Sequence, residues 1–392
     1  GAGAVSPHPC HIPENEFRKL RTMIRMYRRV AGVGLALTML VAGCGHSSST
    51  SQGPATSSTP VPSVATSSTR AASATSQAAR DLPDPHTLRG LTEVPELPDP
   101  KPVEGSSAQK LPVTVTDVEG NKVTIKSTSR ILALDLYGTL SRTLIGLGLG
   151  DKIVGRTVSS TEKQLHDRPV VTENGHVLNV EAVAGLKPSV IIADRSVGPK
   201  EALDQLRKSG IPVVLVDPHR SVGSTPQLIR TIADAVGKPD AGEALVKRTQ
   251  EQIDQAKKQI AAWKPAKPMR VAFLYVRGNA GVFFILGSEN GASELIQGVG
   301  ADDVASDKGI TTLVPANAES LVSINPDAIF VMRDGLASTG GMKGLLARAG
   351  VANTTAGRKQ RVISIPDGIS LSFGPQTGEV LTAVAKALYG VK

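Results

Sequence analysis

The chain has 392 residues, with 44 Lys and Arg against 35 Asp and Glu, a formal charge of +9. Six of those basic and two of those acidic residues lie in the first 43, so the rest carries only +5, scattered and without interleaved aromatics, which excludes a nucleic-acid surface. Its two cysteines, Cys10 and Cys44, both lie within the first 44 residues and none lies after them, so a core without disulfides must hold the fold, and some 300 residues can bury one.

A basic stretch from Arg18 to Arg29 leads into the apolar run Val30–Val41, too short for a mature membrane-spanning helix. Basic region, apolar run and the small residues Ala42-Gly43 together make a secretory signal over residues 1–43. Residues 1–22, upstream of Met23 and Met26, read as an extension ahead of the true start. Leu40-Val-Ala-Gly-Cys44 resembles a lipobox, in which cleavage leaves Cys44 as a lipid-bearing N-terminus. The expected location is therefore the outer face of the cell membrane, held by the lipid anchor alone. From residue 44 to 109 the chain is rich in Ser, Thr, Ala and Pro, and such a segment is expected to be a disordered leash.

Folded character starts near Leu111. Val113–Thr116 and Val123–Ile125 alternate around Glu119-Gly120-Asn121, the pattern of a hairpin. Ile131–Leu136, Val190–Asp194 and Val213–Asp217 are mostly apolar strands, each with an aspartate at or near its end, and Leu140–Leu149 and Lys200–Ser209 have helical period between them. Alternating βα units of this kind predict a largely parallel sheet covered on both faces. The pattern restarts at Val271–Val276, Val282–Leu286, Ala328–Met332 and Val362–Ile365. Between the halves, Pro239–Trp263 carries one apolar stripe and predicts a single helix capped by Asp240. The expected architecture is α/β: a lobe over 110–238, a connecting helix over 239–264 and a second lobe over 265–392.

These features together resemble the helical-backbone class of ABC-transporter substrate-binding proteins, over roughly Pro112 to Lys392. The phrases that carry the resemblance are Leu147-Gly-Leu-Gly-Asp-Lys-Ile-Val-Gly155, Glu181-Ala-Val-Ala-Gly-Leu-Lys-Pro-Ser-Val-Ile-Ile-Ala193 and Asn325-Pro-Asp-Ala-Ile-Phe-Val331. The resemblance implies two doubly wound lobes facing each other across a ligand cleft, with a permease and its ATPase as partners. Related proteins dock on the permease through a Glu on each lobe. Here the first-lobe position reads Ser141-Arg142, while Glu294 lies in the corresponding region of the second.

Two segments qualify for the cleft, Glu173–Asn179 in the first lobe and Leu274–Gly278 in the second, with His176 and Tyr275 99 positions apart. This pair is similar to that of the HmuT-type haemin-binding lipoproteins of actinobacterial haem uptake. That likeness implies Fe(III) protoporphyrin IX as the carried ligand, with His176 and Tyr275 as axial ligands from opposite faces and Arg277 as partner of the tyrosinate. Other cell-surface haem-binding proteins would be its donors. The chemistry is coherent, because a phenolate is a hard oxygen donor for ferric iron and imidazole is a common haem ligand. Residues two apart on a strand share a face, so Arg277 can attend Tyr275. Met332 and Arg333 follow a strand and are candidates for the pocket wall, Arg333 towards a haem propionate.

Siderophore- or cobalamin-binding proteins share the expected fold and form the main alternative, with a cleft built of Arg and aromatic residues. A zinc or manganese carrier needs several His with carboxylates, whereas His86, His166 and His219 are dispersed, the first two on the surface and the last in a turn. No Gly-x-Ser-x-Gly elbow, His-Glu-x-x-His or phosphate loop is present, so no enzyme is expected.

Overall fold

The computed structural model describes residues 82–105, 108–279 and 281–392. The expected signal, Cys44 and the leash up to residue 81 lie outside the described residues. Among these residues no helix is long and apolar enough to cross a membrane.

The expected leash ran to residue 109, and here the structure corrects it. Leu91–Glu93 forms β1, which pairs in parallel with the strand Val362–Ile365 near the C-terminus, in the register Leu91↔Val362 to Glu93↔Ser364. Val94 is fully buried in the second lobe and Val103 enters the core of the first. Few apolar residues suffice because each lands in a core built by distant segments.

The hairpin β2 (Val113–Thr116) and β3 (Lys122–Ile125) forms as expected. The first-lobe sheet is parallel throughout, in the order β5 (Ile153–Gly155), β4 (Ile131–Leu134), β8 (Val190–Ala193), β9 (Val213–Leu215). Alternate residues feed opposite cores, as the two-residue strand period requires. Ile131 and Ala133 pack with α1 (Thr139–Gly146) and with the later helix Thr225–Ala235. Leu132 and Leu134 face α2 (Val180–Gly185) and α3 (Lys200–Lys208). A small hairpin, β6 (Thr172–Glu173) and β7 (Val177–Leu178), stands before α2.

The second-lobe sheet runs β1, β15 (Val362–Ile365), β14 (Ala328–Met332), β10 (Arg270–Arg277), β11 (Val282–Ile285), β13 (Val314–Pro315), with β12 (Asp302–Asp303) also on β10. Phe273 and Phe330 meet edge to face in its core, with ring centroids 6.4 Å apart. The connecting helix spans Pro239–Trp263 as predicted. Asp240 is not its cap: Pro239 takes the first helical position, where a missing N–H costs nothing, and Asp240 sits in the first turn. Its stripe is shared between the lobes, with Ala241, Leu245 and Val246 in the first core and Ala256 and Ile260 in the second.

Candidate functional site

The carboxyl ends of the parallel strands of the two lobes meet at the seam, which is where open α/β sheets place ligands. The contacts across this seam are polar and buried. Thr139, just after β4, donates its hydroxyl to the Ser372 carbonyl. Arg142 of α1 reaches over to the Gln376 Oε1 at 2.7 Å and the Gly368 carbonyl at 3.3 Å, and pairs with the buried Glu162 at 3.6 Å. The Arg142 position therefore belongs to the seam between the lobes and not to an outer docking face. Burial pushes the Glu162 carboxyl up, against the pull of Arg142.

On the second-lobe side, Tyr275 stands near the carboxyl end of β10, half-buried and paired with Phe284 of β11. The Arg277 guanidinium lies over its ring, 4.9 Å from the centroid, a stacking that favours cation and aromatic ring alike. Arg277 donates to the Asp367 Oδ2 at 2.6 Å and comes within 3.3 Å of the Met332 sulfur. Asp367 also accepts from the Asp334 amide at 2.9 Å. Its carboxyl is pushed up by burial, with Arg277 acting against that. Gly335 is required beneath this group, because a Cβ there would sit 2.2 Å from the Arg277 Nη1. Tyr275, Arg277 and Met332 are thus brought together. Arg333 is not, since its guanidinium is bonded to the Val94 carbonyl and to Glu96 at 2.7 Å. Its expected propionate contact has no support in this arrangement.

On the first-lobe side, His176 is exposed at the turn of the β6–β7 hairpin, where Asn174 and Gly175 take up left-handed backbone. The hairpin is fastened to the loop leaving β8: the Gly198 amide donates to the His176 carbonyl at 2.9 Å, and the Leu178 amide to the Gly198 carbonyl at 2.7 Å. Asn179 caps α2 through the Ala182 amide at 2.9 Å. The imidazole is therefore presented on a short turn held at the carboxyl end of the sheet.

Residues 136–368 match the family described as periplasmic binding protein. The chain belongs to this family. In solved structures, the haem-binding protein HmuT is 49% identical, covers 79% of this chain and all of its own, and superposes with a TM-score of 0.77. HmuT variants with a histidine, a tyrosine and an arginine each replaced by alanine have also been solved. There the tyrosine follows the histidine by the interval that separates Tyr275 from His176, and the arginine stands two positions after the tyrosine. YvrC of Bacillus subtilis (strain 168), an ABC transporter substrate-binding lipoprotein, is 27% identical over 280 residues, 71% of this chain and 86% of YvrC. A cobalamin-binding protein of Halobacterium salinarum (strain ATCC 29341 / DSM 671 / R1) is 24% identical over 299 residues, 74% of this chain and 78% of that protein.

In this periplasmic binding protein, Glu294 does not stand free on an outer face. Its carboxylate accepts from the Val222 amide of the first lobe at 3.1 Å. His219 is exposed in a turn in which its amide donates to Asp217 at 2.8 Å. Among the described residues no three His, Cys, Asp or Glu side chains converge on a metal site. A wide groove of about 910 Å³ lies away from the cleft, where residues 88–97 cross the connecting and C-terminal helices, and it contains neither His176 nor Tyr275. Sequence reasoning missed one cluster altogether. Asp135 and Asp194, after β4 and β8, both pair with Arg220, and all three side chains are buried. The signal was the aspartate at each strand end; what was lacking was the partner that a buried carboxylate demands.

Proposed function

We propose that this chain is the haem-binding component of an ABC importer, lipid-anchored through Cys44 on the outer face of the cell membrane and delivering ferric haem to a permease driven by its ATPase. Tyr275 is the axial ligand from the second lobe, His176 the ligand from the opposite face, Arg277 the residue that holds the tyrosine, and Met332 part of the wall. The observation that carries this reading is the Tyr275–Arg277–Asp367 group near the carboxyl end of β10 in one lobe, with His176 held on a fastened turn in the other. The spacing shared with the residues altered in HmuT supports the same assignment. A phenolate ligand favours ferric iron, which suits carriage over electron transfer or oxygen chemistry. YvrC, by name a lipoprotein, supports the anchor.

The cobalamin-binding relative keeps a second reading in view, at about half the identity that HmuT shows. Haemin and cyanocobalamin titrations of the purified chain separate the two. Haemin should give a saturable Soret band with a tyrosinate signature in resonance Raman, and cyanocobalamin no saturable response. Tyr275→Ala should shift the band and weaken binding strongly. His176→Ala should weaken it less, because an anionic ligand remains, while changing the coordination number. A wild-type spectrum in Tyr275→Ala would falsify this assignment of the cleft.

A further inference from the structure

The second-lobe group has a counterpart in the first. Tyr137 lies in the loop directly after β4, and the Arg220 guanidinium is 5.5 Å from its ring centroid, as Arg277 is over Tyr275. Arg220 is in turn held by carboxylates: by Asp194 through a short bond and by Asp135 at 3.5 Å, with its Nε 3.3 Å from the Thr139 hydroxyl. Each lobe therefore offers a tyrosine at or just past the carboxyl end of a strand, beneath an arginine that an aspartate fixes. Two buried carboxylates and a buried guanidinium are costly to assemble unless each is bonded, and their visible consequence is to fix the loop that carries Tyr137.

Tyr137 and Tyr275 also share a packing partner, the apolar core of the second lobe. Both pack, half-buried, against the same apolar cluster. Among the described residues nothing hydrogen-bonds the Tyr137 hydroxyl. Leu136 beside it and Val158 on the next loop stay exposed, although their amides are pinned to the Ser196 and Thr172 hydroxyls at 2.9 and 3.2 Å. The first lobe thus shows an apolar edge next to its aromatic ring on the side where the lobes meet, and a flat, largely apolar ligand is what such an edge accepts.

We infer that Tyr137 is a ligand-contact residue: its ring, clamped by Arg220, forms the floor on which the edge of a porphyrin held between His176 and Tyr275 rests. This rests on the haem reading of the cleft. Tyr137 packs against the macrocycle and leaves the iron to the other two residues.

The test measures haemin release from the purified chain into an excess of apomyoglobin, alongside the Soret spectrum and thermal melting. Tyr137→Ala should release haemin about 10-fold faster, the worth of one aromatic contact, with the wild-type Soret position. Tyr137→Phe keeps the ring and should release at the wild-type rate. Should the alanine variant fail to fold, Tyr137→Leu carries the comparison, with release roughly 3-fold faster than for phenylalanine. Wild-type release from the alanine or leucine variant overturns the inference. So does equally fast release from the phenylalanine variant, or a shifted Soret band in any of them. A wild-type chain that gives no Soret band fails the haem reading itself, a separate result.

Discussion

At the residue scale, Arg277 shows how much one side chain does at the cleft. It stacks on Tyr275, donates to Asp367 and touches the Met332 sulfur, so its loss frees the phenol ring and leaves a half-buried carboxylate without its cation. Arg277→Ala should weaken haemin binding roughly 10–100-fold, the usual effect of removing a partner of a metal ligand. Arg277→Lys should recover little, because an ammonium cannot stack and pair in the same plane; equal affinity in the lysine variant would reduce the role of Arg277 to charge alone. The buried Asp194 makes a different statement. Burial raises its carboxyl from the ordinary 3.8 to about 6, with Arg220 acting against the rise. The folded chain then binds a proton that the unfolded chain releases, so this group's contribution to stability falls as pH rises from about 4 to about 6 and is level above. Denaturation of wild type and Asp194→Asn between pH 4 and 7 should show that slope in their difference. An opposite slope would mean that Arg220 outweighs burial.

Elements differ in how far sequence announces them. The strands Ile131–Leu134, Val190–Ala193 and Ala328–Met332 were legible because burial on both faces demands an unbroken apolar run, and the connecting helix because one stripe recurs over 25 residues. The two-residue strands β6 and β7 leave no such period, so the hairpin carrying His176 read only as a loop. Tyr275 and Arg277 were legible as a strand pair and through a family likeness. Asp367, 90 positions on, and the Arg220 cluster were not, since nothing local marks a partner that the fold brings in from another strand end. Close approach of helices is similarly silent. Gly378, in the first turn of the C-terminal helix Thr377–Tyr389, faces the connecting helix, and a Cβ there would lie 2.5 Å from the Gln252 carbonyl carbon. Because that neighbour is backbone, Gly378→Ala must push the helices apart and should cost about 1–3 kcal/mol. Chemical denaturation measures this directly, and an unchanged midpoint would show that the crossing yields freely.

The whole molecule is joined across its cleft by more than the connecting helix. Residues 91–103 start as an added strand on β15 and end in the other lobe. On the way, Asp99 accepts from the Lys163 and Gln164 amides at 2.8 and 2.9 Å, the Pro98 carbonyl from Gln376 at 2.9 Å, and the Lys101 carbonyl from Arg248 of the connecting helix at 2.7 Å. Val94 and Val103 anchor the two ends, one in each core. This arm and the helix together restrain how far the lobes can part, which matters for a carrier that must hold its ligand between them and still release it. A fragment starting at Leu111, where a reading from composition places the folded boundary, therefore lacks part of both cores. Burying two valines is worth roughly 3–6 kcal/mol in all. The 111–392 fragment should accordingly melt roughly 5–10 °C below the 82–392 fragment and release haemin faster. Matching melting points and release rates for the two fragments would reduce the arm to a decoration of a fold complete without it.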